Sequence, residues 1–455
     1  MTKRTIKKEA ETLELYWPGK YDDDGQRVAL SACKEALQVH ERFCPPPQSS
    51  ALQGRIIRGD NLRILASLAE HEGSRDKIDL AYIDPPFNTG NRFSVRRSRG
   101  ETDGTLELPA YHDAWKGGAA GFLTMLDARL RWIYERLADH GSLYVHVDPT
   151  MGHAVKLMLD ELFGPQCFQR EIVWRIGWLS GFKTTAKNWI RNHDLIFFYV
   201  KDPNHFTFNK LYVPYPAGYL RRDGKAPTGK GFPLDDVWNA NEGELALSGR
   251  ESLDSIQIKS FSREKTGWAT QKNESLLRRI ILASSQPGDL VADVFCGSGT
   301  TAVAAQELGR RWMICDESPV AVQISRARML DMQASFTVES LEDRLPCNEL
   351  IFRARLESGQ GEIRVKIGGM RWSASVRKTL SGSLQELSKQ QLVEAWTVTD
   401  DAEPERVLFE EHRGHRDRSL SLDSSVLPLK KGCKALRVTV WDIRGEASER
   451  VLSLV

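Results

Sequence analysis

One short segment of the chain carries residue types that could bind an amino group. Asp84-Pro-Pro-Phe87 directly follows Lys77–Ile83, an apolar run that predicts a buried strand. Two consecutive prolines restrict the backbone and remove two amide donors, so the turn presents carbonyl oxygens and one carboxylate as acceptors. These acceptors suit an exocyclic amine, and the Phe87 ring can stack on the base that carries it. Taken alone, the same residues also fit a plain strand-ending turn.

A second segment, far along the chain, has the pattern of a nucleotide-cofactor loop. Leu290–Val294 predicts a short buried parallel strand, and Thr300–Leu308 predicts a helix. Gly297 and Gly299 lie between them and allow the backbone to approach a ligand closely. A dinucleotide would favour a third glycine where Ala302 stands, although alanine is a permitted variant there, so the loop fits an adenosine cofactor only weakly. A tight strand-to-helix turn without a ligand fits the same residues.

The next predicted strand supplies an acid to the same site. Arg311–Cys315 follows the helix and delivers Asp316 nineteen residues after Gly297. An acid at the end of a strand in this position can accept hydrogen bonds from ribose hydroxyls. We therefore expect Asp316 to complete the adenosine site.

Together, these motifs resemble the amino-group DNA methyltransferases that use S-adenosylmethionine. The Asp-Pro-Pro-Phe motif precedes the cofactor loop, which is similar to the β arrangement of many bacterial adenine-N6 enzymes and of type III modification subunits. The resemblance covers about residues 54–330. Three further segments carry it, the third with asparagine in place of proline: Gly59-Asp60-Asn61, Gly141 to Thr150, and Thr270-Gln271-Lys272-Asn273-Glu274.

The resemblance implies a site-specific DNA methyltransferase that extrudes adenine from the duplex and methylates N6 without a covalent intermediate. Asp84 and the Pro85 carbonyl would hold the target amine within the Pro85-Pro86 turn, and Phe87 would stack on the base. The residues implied in S-adenosylmethionine binding are Asp293, Phe295, Gly297, Gly299, Thr300 and Asp316, with Asp60 at the adenine ring and Gln271 and Lys272 near the methionine end. Because asparagine is a good N-cap, Asn273 is expected to begin the following helix normally.

Several other functions remain open on the residues alone. A cytosine-N4 methyltransferase would use the same motifs, since Asp84 favours adenine only statistically. A cytosine-C5 enzyme needs a Pro-Cys thiolate, but Pro346-Cys347 lies past the cofactor region. RNA and protein-glutamine methyltransferases usually have Asn before Pro-Pro. A catalytically silent DNA-binding or sensing protein would bind the cofactor without methyl transfer.

Composition bounds the class of protein. The net charge of +2 over 455 residues means that a DNA-binding surface must come from local clusters. The seven cysteines form no Cys-x-x-Cys pair, which favours a reducing compartment and no metal site. Without a signal peptide or long apolar span, a bacterial cytoplasmic protein that meets the nucleoid through DNA is expected, with no membrane partner.

The order of elements predicts an α/β protein with a Rossmann-like methyltransferase fold and a mostly parallel sheet covered by helices on both faces. We predict an N-terminal arm (1–53), a catalytic domain (54–334) and a β-rich accessory domain (335–455), with the catalytic and cofactor strands adjacent. The central predicted elements are helices Phe122–Leu137 and Met151–Phe163 and strands Ser142–Val147, Phe168–Trp174 and Leu195–Val200. The accessory domain is predicted to contain strands Glu349–Leu356, Glu362–Ile367 and Ala435–Trp441 and helix Ser383–Val393.

Two basic segments are candidates for contact with double-stranded DNA. Residues 201–265 lose periodicity and abound in turn residues, and in the resembled family target recognition usually lies there. A second loop leaves directly from the Asp-Pro-Pro-Phe turn, where it would meet phosphates beside an extruded base. Solvated loops would explain the same charges. A restriction subunit, a cognate endonuclease and a homodimer are all compatible with the sequence, which chooses none of them. The candidate DNA-binding residues are Arg92, Arg96, Arg97 and Arg99, and Arg221, Arg222, Lys225 and Lys230.

Overall fold

A computed structural model describes most of the chain, with gaps concentrated in connecting segments. The described residues are 13–45, 52–72, 76–98, 105–176, 187–240, 258, 262–342, 349–359, 362–378, 384, 387–388, 390–414 and 419–454.

The elements alternate between strand and helix through the first three quarters of the chain and are mainly strands afterwards. The strands are β1 Gln38–Phe43, β2 Gly54–Arg58, β3 Ile78–Ile83, β4 Arg92–Ser98, β5 Thr105–His112, β6 Leu137–Val147, β7 Phe168–Arg175, β8 His193–Val200, β9 Tyr212–Val213, β10 Phe232–Pro233, β11 Val237–Trp238, β12 Leu290–Asp293, β13 Arg311–Asp316, β14 Phe336–Ser340, β15 Leu350–Gly359, β16 Glu362–Trp372, β17 Val393–Asp400, β18 Glu403–His412, β19 Ala435–Asp442 and β20 Ala447–Ser453. The helices are α1 Asn61–Glu72, α2 Gly118–Arg136, α3 Pro149–Phe163, a 3-10 turn Pro165–Cys167, α4 Glu274–Ser284, α5 Thr300–Glu307, α6 Pro319–Asp331 and α7 Ala374–Arg377.

A parallel core of six strands, in the order β6-β3-β12-β13-β2-β14, forms the centre of the main sheet. The strand that leads to Asp84 and the strand that ends at Asp293 are direct neighbours, with Leu80 paired to Val291 and Ala81 to Ala292. Carboxyl ends of parallel strands share one edge of a sheet, so both motifs lie at that edge. The predicted adjacency of the two strands is confirmed.

Helices cover both faces of this core because successive residues of a strand point to opposite sides. On β3, Ala81 and Ile83 join one apolar cluster together with α1, α2 and α3. Leu80 and Tyr82 join another cluster with α4, α5 and α6. The predicted α/β class with helices on both faces is confirmed, although β7, β8 and β1 join the sheet as antiparallel strands.

The N-terminal segment, expected as an arm, supplies a strand to the sheet. β1 pairs antiparallel with β14, and Arg42 pairs in parallel with Arg406 of β18. Glu41 interrupts its apolar pattern, but this carboxylate is buried against the Arg326 guanidinium at 2.8 Å. The sequence pattern hides the strand because its inward residue is charged.

The C-terminal region is rich in strands, as expected, and continues the same sheet through β18, β17, β19 and β20. A separate antiparallel hairpin is formed by β15 and β16. Of the predicted helix Ser383–Val393, residues 383, 385, 386 and 389 lie outside the described residues. Its C-terminal half is wrong, because residues 390–392 form a turn and Val393 begins β17. The predicted Pro346-Cys347 also lies outside the described residues. No helix among the described residues is long and apolar enough to span a bilayer.

Candidate functional site

Asp84 lies immediately after β3, with its side chain mostly buried. One carboxylate oxygen, Oδ2, contacts Lys272 Nζ at 2.6 Å. The other oxygen, Oδ1, is buried and accepts no hydrogen bond from any described residue. An acceptor withdrawn from water without a partner is costly, so this oxygen is a candidate acceptor for a ligand.

The turn after Asp84 is held by an acid that the sequence motifs did not single out. Asp113 is buried and accepts hydrogen bonds from the amides of Asn88, at 2.7 Å, and Thr89, at 3.0 Å. Asn88 itself has a positive φ of 61°, a conformation that asparagine tolerates better than most residues. The carboxylate of Asp113 therefore fixes the backbone that follows Phe87.

The Phe87 ring packs beside a buried histidine and a lysine side chain. Its centroid is 5.9 Å from that of His146, and Lys272 Nζ lies 5.5 Å from it. The ring is half-buried, which leaves part of its surface for an aromatic ligand.

The glycine loop has the backbone conformation that its residues suggest, and its neighbours require glycine as well. Gly297 and Gly299 have φ values of 49° and 74°, in the left-handed region. A Cβ atom on Gly297 would lie 2.8 Å from the Trp268 indole nitrogen, and one on Gly299 would lie 2.5 Å from Ser325 Oγ. Close packing against protein, in addition to any approach of a ligand, therefore requires these glycines.

Two buried acids organise this loop from the ends of β12 and β13. Asp293 accepts hydrogen bonds from the Phe295 amide, at 3.0 Å, and from the Thr301 hydroxyl. Asp316 accepts from the amides of Gly297 and Ser318, both at 2.9 Å. Burial raises the pKa of Asp293 to about 7 and that of Asp316 to about 6.

The segment before α4 brings Gln271 and Lys272 to the site in different roles. The Gln271 side chain bonds to Thr266 and to the Glu264 carbonyl, so it orders its own loop. Lys272 instead reaches across to Asp84. Asn273 occupies the N-cap position, but its side chain does not cap the helix; the Glu264 carboxylate accepts from the Glu274 amide at 3.0 Å.

Asp60 is held by a neighbouring cation. Its carboxylate contacts an Arg129 guanidinium nitrogen at 2.8 Å and accepts from the Leu62 amide at 3.0 Å. Asn61 Nδ2 donates to the Val294 carbonyl at 2.6 Å and so connects the start of α1 to the glycine loop.

These groups surround one cavity of about 380 Å³. Among the described residues, its wall contains five carboxyl groups and two cations, Arg129 and Lys272. Burial keeps Asp293 and Asp316 partly protonated near neutral pH, but acids still outnumber cations, so the wall favours a cationic ligand. The predicted site residues that line it are Asp60, Asp84, Pro86, Gln271, Lys272, Asp293, Phe295, Gly297, Thr300 and Asp316, whereas Pro85, Phe87 and Gly299 adjoin it without lining it. Sequence reasoning missed several lining residues, some beside the motifs and some on other elements: Tyr82, Tyr111, His112, Trp115, Trp268 and Glu317.

Comparison with known proteins identifies the family. Residues 78–327 match the DNA methylase family. The chain belongs to that family. The matched range contains both motifs, and the resemblance drawn from them is confirmed.

Relatives of this DNA methylase extend over most of its length. The type II methyltransferase M.EcaI of Enterobacter cloacae is 29% identical over 432 residues, covering 82% of this methylase and 90% of that protein. The DNA adenine methyltransferase YhdJ of Escherichia coli K12 is 26% identical over 313 residues, covering 66% and 90%. The crystal structure of the M1.HpyAVI-SAM complex is 18% identical with a TM-score of 0.39, covering 60% of this methylase and 97% of that chain.

The predicted DNA-binding arginines of the methylase are divided by the pleat of β4. Arg92 and Arg96 are exposed on one face of the strand. Arg97 points the opposite way and is buried in an ion pair with Glu394 of β17. It is therefore not available to a phosphate, which corrects its assignment to the DNA surface. Arg99 lies outside the described residues.

The basic residues of the predicted recognition region lie next to a cluster of three aromatic side chains. Tyr215 and Tyr219 stack at 5.2 Å, and Phe232 packs edge-on against both rings. The connection between β9 and β10 then exposes all four predicted residues, namely Arg221, Arg222, Lys225 and Lys230. The aromatic cluster, which the sequence analysis did not identify, gives this loop a folded support.

Proposed function

We propose that this methylase is a site-specific DNA methyltransferase that transfers a methyl group from S-adenosylmethionine to N6 of an adenine extruded from duplex DNA. The observation that carries the proposal is the buried, unpartnered Asp84 Oδ1 at the wall of a cofactor-sized cavity. Family membership supports the reaction class, and the geometry supports the roles that we propose for the residues.

The cavity fits S-adenosylmethionine by charge and by donor set. The cofactor supplies a methyl group on a sulfonium cation, and the carboxylate excess of the wall complements that charge. We assign the loop from Asp293 to Thr300 and Asp316 to its nucleoside end. Gln271 supports the wall through Thr266 and Glu264, whereas Lys272 belongs to the Asp84 side.

Asp84 and the turn after it would activate the target amine. The amine of adenine is a weak nucleophile because its lone pair is delocalised into the ring. Acceptance of its hydrogens by Asp84 Oδ1 and the Pro85 carbonyl favours a pyramidal nitrogen whose lone pair can attack the methyl group directly. Lys272 holds Oδ2, which leaves Oδ1 directed at the amine.

A covalent enzyme intermediate is disfavoured by the chemistry of the cavity. Its wall contains one cysteine, Cys296, whose thiol is buried. Burial raises the pKa of this thiol well above its usual value, and the charges of Asp316 and Asp293 raise it further. A protonated thiol is a poor nucleophile, so direct transfer is the mechanism that these residues support.

Adenine is the proposed base, and cytosine N4 is the second candidate. Asp84 opens the motif, as is usual in adenine enzymes of this family, and YhdJ is named as a DNA adenine methyltransferase. Phe87 would stack on either extruded base. The choice between the two bases is therefore the first thing that an experiment should establish.

We assign the DNA surface to two exposed basic groups. Arg92 and Arg96 leave directly from the base turn, and the β9–β10 connection supplies the cluster from Arg221 to Lys230. Electrostatic contacts of this kind give affinity that falls with salt. The 26% identity over 205 residues, 31% of that protein, to the type III restriction-modification enzyme EcoP15I Mod subunit supports a restriction-modification setting. A cytoplasmic location and a cognate endonuclease are further parts of the proposal.

Mass spectrometry of nucleosides from plasmid DNA, before and after incubation with the protein and S-adenosylmethionine, tests this proposal. We expect a rise in N6-methyladenine. A rise in N4-methylcytosine would retain the mechanism and replace the base. The absence of any new methylated nucleoside in DNA would overturn the proposed function.

A further inference from the structure

A buried chain of polar side chains lies directly behind the base side of the site. The Tyr82 hydroxyl is 2.9 Å from His146 Nδ1, and His146 Nε2 is 3.3 Å from an oxygen of Asp194. Tyr82 and Asp194 are almost fully buried, and His146 is completely so. These three residues come from neighbouring strands β3, β6 and β8 of the sheet.

The hydrogen-bond partners assign the direction of the chain. A carboxylate only accepts, so His146 Nε2 carries a proton and donates it to Asp194. In the neutral ring, Nδ1 is then the acceptor and the Tyr82 hydroxyl donates to it. The hydroxyl proton is directed at His146, which leaves the remaining lone pair of the tyrosine oxygen for another partner.

Asp194, at one end of this hydrogen-bonded series, is held by a cation. Arg191 forms ion pairs with Asp194 and with Asp148, the N-cap residue of α3. Burial alone would raise the pKa of Asp194, but the hydrogen bond from His146 and the nearby cations Lys272 and Arg191 hold it below its usual range. Asp194 is therefore a stable acceptor for His146.

Tyr82, at the other end of the series, lies beside Asp84, where the extruded base would bind. Tyr82 lines the cavity and lies two residues before Asp84 on the same segment. The His146 ring packs beside Phe87 and, on its other side, edge-on against Trp174 at 5.2 Å. Two hydrogen bonds and two aromatic neighbours therefore hold the imidazole in place, and Phe87 packs against it.

We propose that Tyr82, His146 and Asp194 are positioning residues that set the orientation of Phe87 and of the Tyr82 ring for stacking and docking of the extruded base. This inference rests on the proposed function and deepens it. A ring held in one orientation before the base arrives loses less conformational entropy on binding. These three side chains would act at the base-binding part of the site, and the cofactor loop after β12 is not one of their elements.

A matched pair of tyrosines allows a sharp test. Tyr144 is the cross-strand partner of Tyr82 and is equally buried, and its hydroxyl bonds to Ser284 Oγ at 2.7 Å. Tyr144 lies on the same face of the sheet but does not line the cavity that holds Asp84. Tyr82→Phe and Tyr144→Phe each remove one buried hydroxyl and its hydrogen bond, so both should lower the unfolding midpoint to a similar extent.

Only Tyr82→Phe should impair the reaction. On an oligonucleotide carrying the mapped target site, we expect kcat/KM for DNA to fall about tenfold in Tyr82→Phe, which corresponds to one lost hydrogen bond. The affinity for S-adenosylmethionine should fall less than kcat/KM for DNA, because phenylalanine keeps the ring at the cavity wall. With 2-aminopurine at the target position, the fluorescence of the extruded base should differ from wild type in Tyr82→Phe and match it in Tyr144→Phe.

One result would contradict the positioning role, and a different result would contradict the proposed function. If wild type methylates DNA and Tyr82→Phe matches Tyr144→Phe in kcat/KM and in 2-aminopurine fluorescence, the positioning role is wrong while the proposed function stands. If wild type methylates no DNA base, the proposed function itself fails. His146→Asn, which keeps a polar group near Nδ1 but removes the ring, should show a fluorescence change at least as large as that of Tyr82→Phe.

Discussion

Asp84 and Asp293 follow neighbouring parallel strands at the same edge of the sheet, yet their surroundings differ. Asp293 accepts from an amide and a hydroxyl of its own loop. Asp84 pairs with Lys272 through one oxygen and keeps the other buried without a partner among the described residues. A strand-end position therefore does not by itself make an acid reactive. The acid with internal partners builds the loop, and the acid with an open acceptor can receive a ligand.

The same difference separates two adjacent arginines on β4. Arg96 is exposed and can meet a polyanion, whereas Arg97 is buried against Glu394. Charge composition treats the two residues as equal. The pleat of the strand gives them different tasks.

The largest expected effect is on methyl transfer in Asp84→Ala. Loss of the open acceptor should lower the rate of transfer by about 100- to 1,000-fold, as for other groups that contact the reacting atoms. Cofactor affinity, measured by calorimetry, should change little because the glycine loop is intact. Asp79, at the opposite end of β3, is the control: Asp79→Ala removes a hydrogen bond to the Leu290 amide and should spare transfer. Equal loss in both variants would contradict the contrast.

Arg97→Ala should mainly lower stability. Removal of one partner of a buried ion pair costs about 3–5 kcal/mol of unfolding free energy. Urea denaturation checks this value. DNA affinity of the folded fraction should remain near that of wild type, and a selective loss of DNA binding would return Arg97 to the DNA surface.

The pH dependence of stability should report the internally bonded acid. Burial raises the pKa of Asp293 from 3.8 to about 7, so the folded chain holds an extra proton between these values. The stability from this group is then full below about pH 4 and is lost as pH rises to 7, by at most about 4 kcal/mol. Relative to wild type, Asp293→Asn should gain stability between pH 5 and about pH 7.5 in denaturation experiments. A constant difference across this range would contradict the shift.

The smallest effect is expected for Arg96→Ala. Loss of one exposed phosphate contact should weaken DNA binding by a few fold and reduce the slope of log Kd against log salt by about one. The unfolding midpoint should not change. Fluorescence anisotropy at several salt concentrations measures both quantities, and an unchanged slope would remove Arg96 from the interface.

The sequence alone gave the local units around the site correctly. Val291 and its neighbours form a strand, Gly297 and Gly299 a turn, and Thr300 begins a helix, because short-range sterics and apolar periodicity decide such units. The two motifs, with the segments between them, were enough to indicate the family. The roles of individual site residues remain proposals that the experiments above address.

Other features depend on residues that meet only in the folded chain. No local pattern could show which charged residues pair across the fold. Lys272 contacts Asp84, and Arg97 is buried against Glu394. Glu41 is buried within strand β1 because it pairs with Arg326. The chain from Tyr82 through His146 to Asp194 also joins three separate strands. The sequence by itself determined which residues can do chemistry and which local turns present them, since these follow from side-chain type and backbone sterics. The tertiary structure decided which charges are neutralised internally and which remain open to a ligand, because that depends on contacts between distant segments.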